Sequence, residues 1–221
     1  MILSTSEAKG KFNVKATDKF LYALAPLPYA TGLFPLALHD EINIEFLPPV
    51  EEAVRMSFSE RNKKGFKMGL GKGIDFFFGV GSVAYYVSLG LTDLSKSGSN
   101  HSFMQKLSQL SPRIMGRMVK AKQICKQENR ALMPKDLFKL KGFMCAGTDN
   151  RCYKDDLEEL WGIRPMELFA GTEPSCIGTE TWTRNGMYFF PDTCFYEFIP
   201  EEEMKKSLAD KTYQPKTYLM D

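Results

Sequence analysis

Apolar residues fall in short clusters along this chain. Each cluster is closed by glycine, proline or a polar run, and the spacing inside it assigns its element. Residues 1–19 are polar and rich in Ser, Thr and Lys; Phe20 to Ala25 then run apolar into Pro26-Leu27-Pro28-Tyr29-Ala30-Thr31-Gly32, a loop by its proline and glycine content. Glu41 to Phe46 alternates, with Ile42, Ile44 and Phe46 on one side, which predicts a half-buried strand. Pro48-Pro49 ends it, and Glu51-Glu52 open a helix expected to run to about Lys64, acids being favourable at the positive end of the helix dipole. Residues 65–84 are dense in glycine around Phe76-Phe77-Phe78, and the periodicity of Val83 to Val87 leaves strand and helix open. Ser95 to Ser102 reads as a polar loop. Phe103 to about Gln127 reads as two helical pieces meeting near Pro112, the second with an inner stripe of Ile114, Met118, Ala121 and Cys125.

The second half is more regular. Phe138 to Cys145 reads as a buried strand and Ala146-Gly147-Thr148-Asp149 as its turn. Tyr153, Leu157, Leu160 and Trp161 follow at helical spacing, with Gly162 as the stop. Met166 to Phe169 is the next strand. Strand, helix and strand in that order make a βαβ unit, which implies parallel pairing and a right-handed crossover. Asn185-Gly186 is a hairpin turn joining Thr181–Arg184 to Met187–Phe190. The expected fold is α/β: a mostly parallel sheet flanked by helices, with an antiparallel hairpin near the C-terminus.

Composition changes this picture little. The chain has 221 residues, 43% hydrophobic and 25% charged, enough for a sizeable core. Seventeen Phe suggest a bulky core or a roomy apolar pocket. A net charge of +2 supplies no argument for nucleic acid or an anionic membrane. The five cysteines include no C-x-x-C pair, so a zinc site is not expected, and free thiols point to a reducing, cytoplasmic setting. No signal peptide is read at the start. The apolar stretch from Ile74 to Leu91 is interrupted by Asp75 and three glycines, whereas a span needs about 20 mostly apolar residues; no membrane span is expected.

Residues 169–173, Phe-Ala-Gly-Thr-Glu, stand directly after a predicted strand. Ligands of open α/β sheets collect outside the carboxyl ends of the strands. Gly171 lets a ligand approach the backbone closely, Thr172 offers a hydroxyl to a phosphate oxygen, Glu173 is a hard oxygen ligand suited to Mg²⁺, and Phe169 is a flat face for a purine. Ala146-Gly147-Thr148 ends the preceding strand of the same βαβ unit and can bracket the same ligand. Gly69-Leu70-Gly71-Lys72-Gly73 lacks the spacing of a phosphate-binding loop. His39 and His101 have no nucleophile partner in suitable order.

These residues resemble the adenylate-forming superfamily, which includes acyl-CoA synthetases and the plant amido synthetases. Its Tyr-Gly-x-[Ser/Thr]-Glu pattern is matched in order by Phe169, Ala170, Gly171, Thr172 and Glu173. Pro28-Tyr29-Ala30-Thr31-Gly32 is similar to the superfamily's Pro-x-His-x-x-Gly loop near the acyl pocket. Phe190 to Pro200, with Phe195-Tyr196-Glu197-Phe198-Ile199-Pro200, resembles the signature of the auxin-responsive amido synthetase branch. The resemblance implies a nucleotide site of Ala146, Gly147, Thr148, Phe169, Ala170, Gly171 and Thr172, with Phe169 against adenine, Thr172 on the α-phosphate and Glu173 binding Mg²⁺. It places Tyr29, Thr31 and Gly32 near the acid substrate, with some of Phe76, Phe77 and Phe78 as further candidates. The superfamily's pyrophosphate loop is met only by Thr5, Ser6 and Gly10, and Glu7 sets a negative charge beside them.

The activity implied is ATP-dependent conversion of a carboxylic acid to an acyl-adenylate, then transfer to a thiol or amine acceptor such as CoA. Residues 1–221 would be part of the large domain, with the C-terminal lid absent and the fragment itself of doubtful turnover. The alternatives are a non-catalytic adenylation-like module that presents its aromatic hairpin to a partner, and a dinucleotide enzyme using residues 65–84 with Asp93 as its acid.

Overall fold

The computed structural model describes residues 13–27, 29–96, 112–147, 150–171, 173, 174 and 176–219. Five parallel strands form the centre of one sheet: β1 (Lys19–Ala23), β2 (Glu45–Leu47), β3 (Phe76–Val80), β4 (Gly142–Ala146) and β5 (Met166–Phe169). The antiparallel pair β6 (Gly178–Glu180) and β7 (Met187–Phe189) extends it, giving the order β2-β1-β3-β4-β5-β6-β7. Leu21 sits between Leu47 and Phe77, and Phe78 beside Met144, so the central strands are apolar on both faces, as strands covered on both sides must be. A separate two-stranded ribbon pairs β8 (Glu197–Phe198) with β9 (Tyr218–Leu219).

The order 2-1-3-4-5 reverses direction between β1 and β3. Connections leaving that point run to opposite sides of the sheet. Helix α1 (Ala30–Glu41) and the short α2 (Val50–Ala53) cover one face, where Phe20, Tyr22, Phe46, Phe76, Phe78 and Met166 are buried. Helices α3 (Phe58–Lys72), α4 (Gly81–Lys96) and α7 (Asn150–Trp161) cover the other, over Leu21, Phe77, Phe143 and Cys145. The Trp161 ring stacks on Phe77 and Phe138 at 5.6 and 5.7 Å. Helix α5 (Pro112–Gln127) packs on this side through Ile114, Met118, Ala121 and Cys125, with the one-turn α6 (Pro134–Leu137) beside it. Helix α8 (Glu201–Ala209) follows the sheet in sequence.

Several element boundaries differ from the sequence expectation. The single helix expected over 51–64 is two helices, because Ser57 and Glu60 form a capping box that starts α3 afresh. The backbone N–H of Glu60 donates to Ser57 Oγ at 3.3 Å, and the Ser57 N–H donates to Glu60 Oε2 at 3.0 Å. Gly65 does not stop α3. It faces the sheet, where a Cβ would lie 2.7 Å from Leu21 Cδ1 and 2.9 Å from the Leu47 carbonyl oxygen. The helix closes at Gly73, so Gly69 to Gly73 is its last turn, and phosphate is disfavoured at this negative end of the dipole. The strand expected from Phe138 begins at Gly142, since Phe138 caps α6. Residues 30–41 are helical, which leaves β2 only Glu45–Leu47. Val83 to Val87 belongs to α4. Of the expected hairpin, the second strand is β7 (Met187–Phe189), but Thr181–Arg184 is not a strand: its place is taken by β6 (Gly178–Glu180), and residues 181–186 form the loop between them. Residues 97–111, with the first of the two helical pieces, lie outside the described residues.

Candidate functional site

Two turns follow β1. The Tyr29 N–H donates to the Pro26 carbonyl at 3.1 Å and the Gly32 N–H to the Tyr29 carbonyl at 2.8 Å, leading directly into α1. Thr31 Oγ1 donates to the Ala25 carbonyl at 3.4 Å, tying the first turn of α1 back to the end of β1. Gly32 is required here by packing: a Cβ would meet Leu27 N at 2.5 Å and Pro26 C at 2.6 Å. Tyr29, just before the helix, is 58% exposed.

The other side is built by the ends of three neighbouring strands. Val80 ends β3 and Ala146 ends β4, where the two residues are paired. Gly147 follows with φ +131, a conformation open to glycine and strained for other residues. Leu168 in β5 and then Ala170 and Gly171 complete the wall. Leu24, Ala25, Tyr29, Thr31, Val80, Ala146, Gly147, Leu168, Ala170 and Gly171 enclose a crevice of about 260 Å³. It lies at the carboxyl ends of β1, β3, β4 and β5, next to the strand reversal. The walls are aliphatic, and the polar side chains on them are those of Tyr29 and Thr31, a lining suited to an apolar ligand body held by few oriented groups.

Of the residues singled out in the sequence, Tyr29, Thr31, Ala146, Gly147, Ala170 and Gly171 line this one crevice, and Gly32 packs behind it. Phe169 does not line it. Strand side chains alternate, so Phe169 stands on the α7 side of the sheet while Leu168 faces the crevice, and Phe169 is 49% exposed. Phe76, Phe77 and Phe78 are core residues of β3, and Val80 reaches the crevice in their place. Glu173 is exposed just beyond Gly171. Thr5, Ser6, Gly10, Thr148 and Thr172 lie outside the described residues.

Three polar groups near the site were not anticipated. Asn150, the first residue of α7, is 1% exposed, and its Oδ1 accepts from the Gly81 N–H at 3.2 Å, joining the starts of α4 and α7. Lys154 is buried behind β4 and β5 with Nζ 2.7 Å from Glu180 and 2.8 Å from Glu167. Burial pushes the Cys145 thiol far up, despite the nearby Lys154, so it stays a neutral thiol. Arg61, in the first turn of α3, is buried against the Tyr22 ring, which belongs to the core cluster on the α1 side.

The aromatic stretch 190–200 anchors the end of the sheet. Tyr196 donates its hydroxyl to the Ile177 and Phe190 carbonyls at 3.0 and 3.1 Å, and packs edge-on to Phe189 at 5.5 Å. Phe195 is 80% exposed. Among the described residues no group of three His, Cys, Asp or Glu side chains is arranged for a metal ion, and no helix is long and apolar enough to cross a membrane.

No protein-family model matches the chain, and no curated protein matches it. Among solved structures it is similar to an open conformation of 2-hydroxyisobutyryl-CoA ligase in complex with 2-HIB-AMP and CoA, with 16% identity and a TM-score of 0.49. The match covers 86% of this chain and 33% of that one, so the chain spans about a third of the ligase's length.

Proposed function

We propose that the chain is the substrate-binding part of an adenylate-forming ligase: a carboxylic acid attacks the α-phosphate of ATP, pyrophosphate leaves, and the acyl group then passes to a thiol or amine. The observation that carries this reading is the convergence of residues 24–31, 146–147 and 168–171 on one crevice at the carboxyl ends of the parallel strands. These are the segments whose residues match the superfamily's pattern. In this reading the acid's apolar body lies against Leu24, Val80 and Leu168, with its carboxylate toward Gly147 and Gly171. The nucleotide lies over the small-residue ends of β4 and β5, and residues 1–221 are part of a large domain.

The residues present fit a magnesium nucleotide. Mg²⁺ takes one or two carboxylates and fills its remaining positions with phosphate and water, so a single exposed carboxylate, Glu173, is sufficient. Gly147 and Gly171 leave the backbone open to a bulky anion. Bound Mg²⁺ would neutralise charge at the phosphates. The chain's own contribution is alignment: holding the acid in the crevice with its carboxylate in line with phosphorus, and donating hydrogen bonds from Thr172. Glu173 would supply the metal contact. Phe169 remains the adenine candidate only for a ring that reaches around the β5 end to the α7 side.

The test of the activity is pyrophosphate release by the protein against a panel of aryl and aliphatic carboxylic acids. Acid-dependent release supports the reading. ATP hydrolysis indifferent to every acid, or no release with any, contradicts it.

A further inference from the structure

A second cavity of about 260 Å³ lies among α1, α2 and α3. It shares no lining residue with the crevice, although the segment 24–32 contributes to both. Pro26, Pro35, Leu36, Val50, Val54 and Met56 supply the apolar part of a wall whose accessible surface is more polar than apolar. One wall carries Arg61, from the first turns of α3, which is only 4% exposed.

Among the described residues Arg61 has no counter-charge. Its Nε and Nη2 are buried without a hydrogen-bond partner. Its guanidinium lies 5.4 Å from the Tyr22 ring centre and 5.9 Å from that of Phe58, contacts that offset part of the lost hydration without supplying negative charge. Tyr22 cannot supply it: burial pushes its hydroxyl up to about 12, and that hydroxyl already donates to the Pro48 carbonyl at 3.0 Å. The neighbouring carboxylates are engaged elsewhere, Glu51 with His39 at 3.3 Å, Glu52 with Lys64, and Glu60 in the α3 cap. Burial lowers the Arg61 pKa, yet arginine starts so high that it stays a cation. A buried, unpaired cation is destabilising, and an anion entering the cavity removes that penalty. The exposed Arg55 on the same wall adds positive potential.

We propose that this cavity binds a small carboxylate with an apolar body, the carboxylate paired with the Arg61 guanidinium and the body lying on Leu36, Val50 and Met56. The site is independent of the ligase reading. Calorimetric titration of the chain with octanoate, and with octanol as the uncharged match, tests it. Saturable binding of octanoate without binding of octanol is expected, the site in this cavity being the one that Arg61→Met weakens and the crevice accounting for any binding that persists unchanged in that variant. Arg61→Met should weaken binding in the cavity about 10- to 100-fold, the worth of a charge-assisted hydrogen bond. Val54→Trp, on the exposed rim, leaves the guanidinium in place and narrows the mouth, and should weaken binding with an unchanged circular dichroism spectrum. It decides the matter if Arg61→Met does not fold. Octanoate binding undiminished in the folded variants, equal binding of octanol, or no binding to the unmodified chain overturns the proposal.

Discussion

The Gly81 backbone N–H and the Asn150 side-chain oxygen meet at 3.2 Å in the interior, where the ends of β3 and β4 pass into helices. The bond joins two elements 69 positions apart beside the crevice. A Cβ on Gly81 would fall 2.5 Å from Asn150 Oδ1. Gly81→Ala is therefore expected to cost about 1–3 kcal/mol by overpacking. Asn150→Ala should cost about 1–3 kcal/mol by leaving the buried N–H unpaired. Urea unfolding measures both, and the double variant should cost less than the two single losses added together. Additive losses would show that the two residues do not act through each other.

Gly32→Ala drives a methyl group into the Leu27 and Pro26 backbone, which cannot swing aside as a side chain can. A loss of about 2 kcal/mol or more is expected in urea unfolding. Because the displaced segment also carries Tyr29 and Thr31, acid binding should weaken with it. Unchanged stability would mean that α1 does not sit this close to the 25–29 turns.

Lys154 bridges α7 to β5 and β6 with one ammonium and two carboxylates, Glu167 and Glu180. Lys154→Met leaves two acids facing each other in a largely buried position. A loss of about 3 kcal/mol is expected, reduced in a triple variant with Glu167→Gln and Glu180→Gln. A urea midpoint indifferent to Lys154→Met would show that the pair adds nothing.

Asp136 governs the acid limit of the α5–α6 corner. Burial alone would raise its carboxyl, but two Arg130 hydrogen bonds at 2.7 Å and the Met133 N–H at 2.9 Å outweigh burial and hold it below the usual carboxylate range. A carboxyl depressed in the folded state contributes stability above its unfolded pKa of about 3.9, and that stability is lost as pH falls through the lower folded value. Unfolding free energy should therefore drop below about pH 4. Asp136→Asn should be less stable near neutrality by about 2 kcal/mol and show a shallower acid limb. Parallel curves for the two proteins would assign the acid limb to other groups.

The βαβ unit was legible because its signals agree: helical spacing of Tyr153, Leu157 and Trp161, a glycine stop, and short apolar runs on either side. The break at Ser57 was written in the capping pair but masked by the acids at Glu51 and Glu52, which also suit a helix start. The crevice residues were legible as separate turns after Ala23, Ala146 and Phe169. That the turns after β4 and β5 meet followed from the βαβ unit, but that the turn after β1 joins them was implied only by the resemblance, since it depends on the order 2-1-3-4-5, a long-range property that no local window carries. Arg61 was illegible for a different reason. It sits in the run Ser59-Glu60-Arg61-Asn62-Lys63-Lys64, which reads as a solvated helix, and only tertiary packing turns one of those polar positions inward.

Calorimetric titration of Mg²⁺–ATP into this chain and into Glu173→Ala tests the central claim most directly. Glu173 is exposed, so its removal should leave the circular dichroism spectrum and urea midpoint unchanged. The ligase reading predicts magnesium-dependent ATP binding by the unmodified chain and its loss in Glu173→Ala. Equal affinity of the two proteins, or ATP binding indifferent to magnesium, would contradict it.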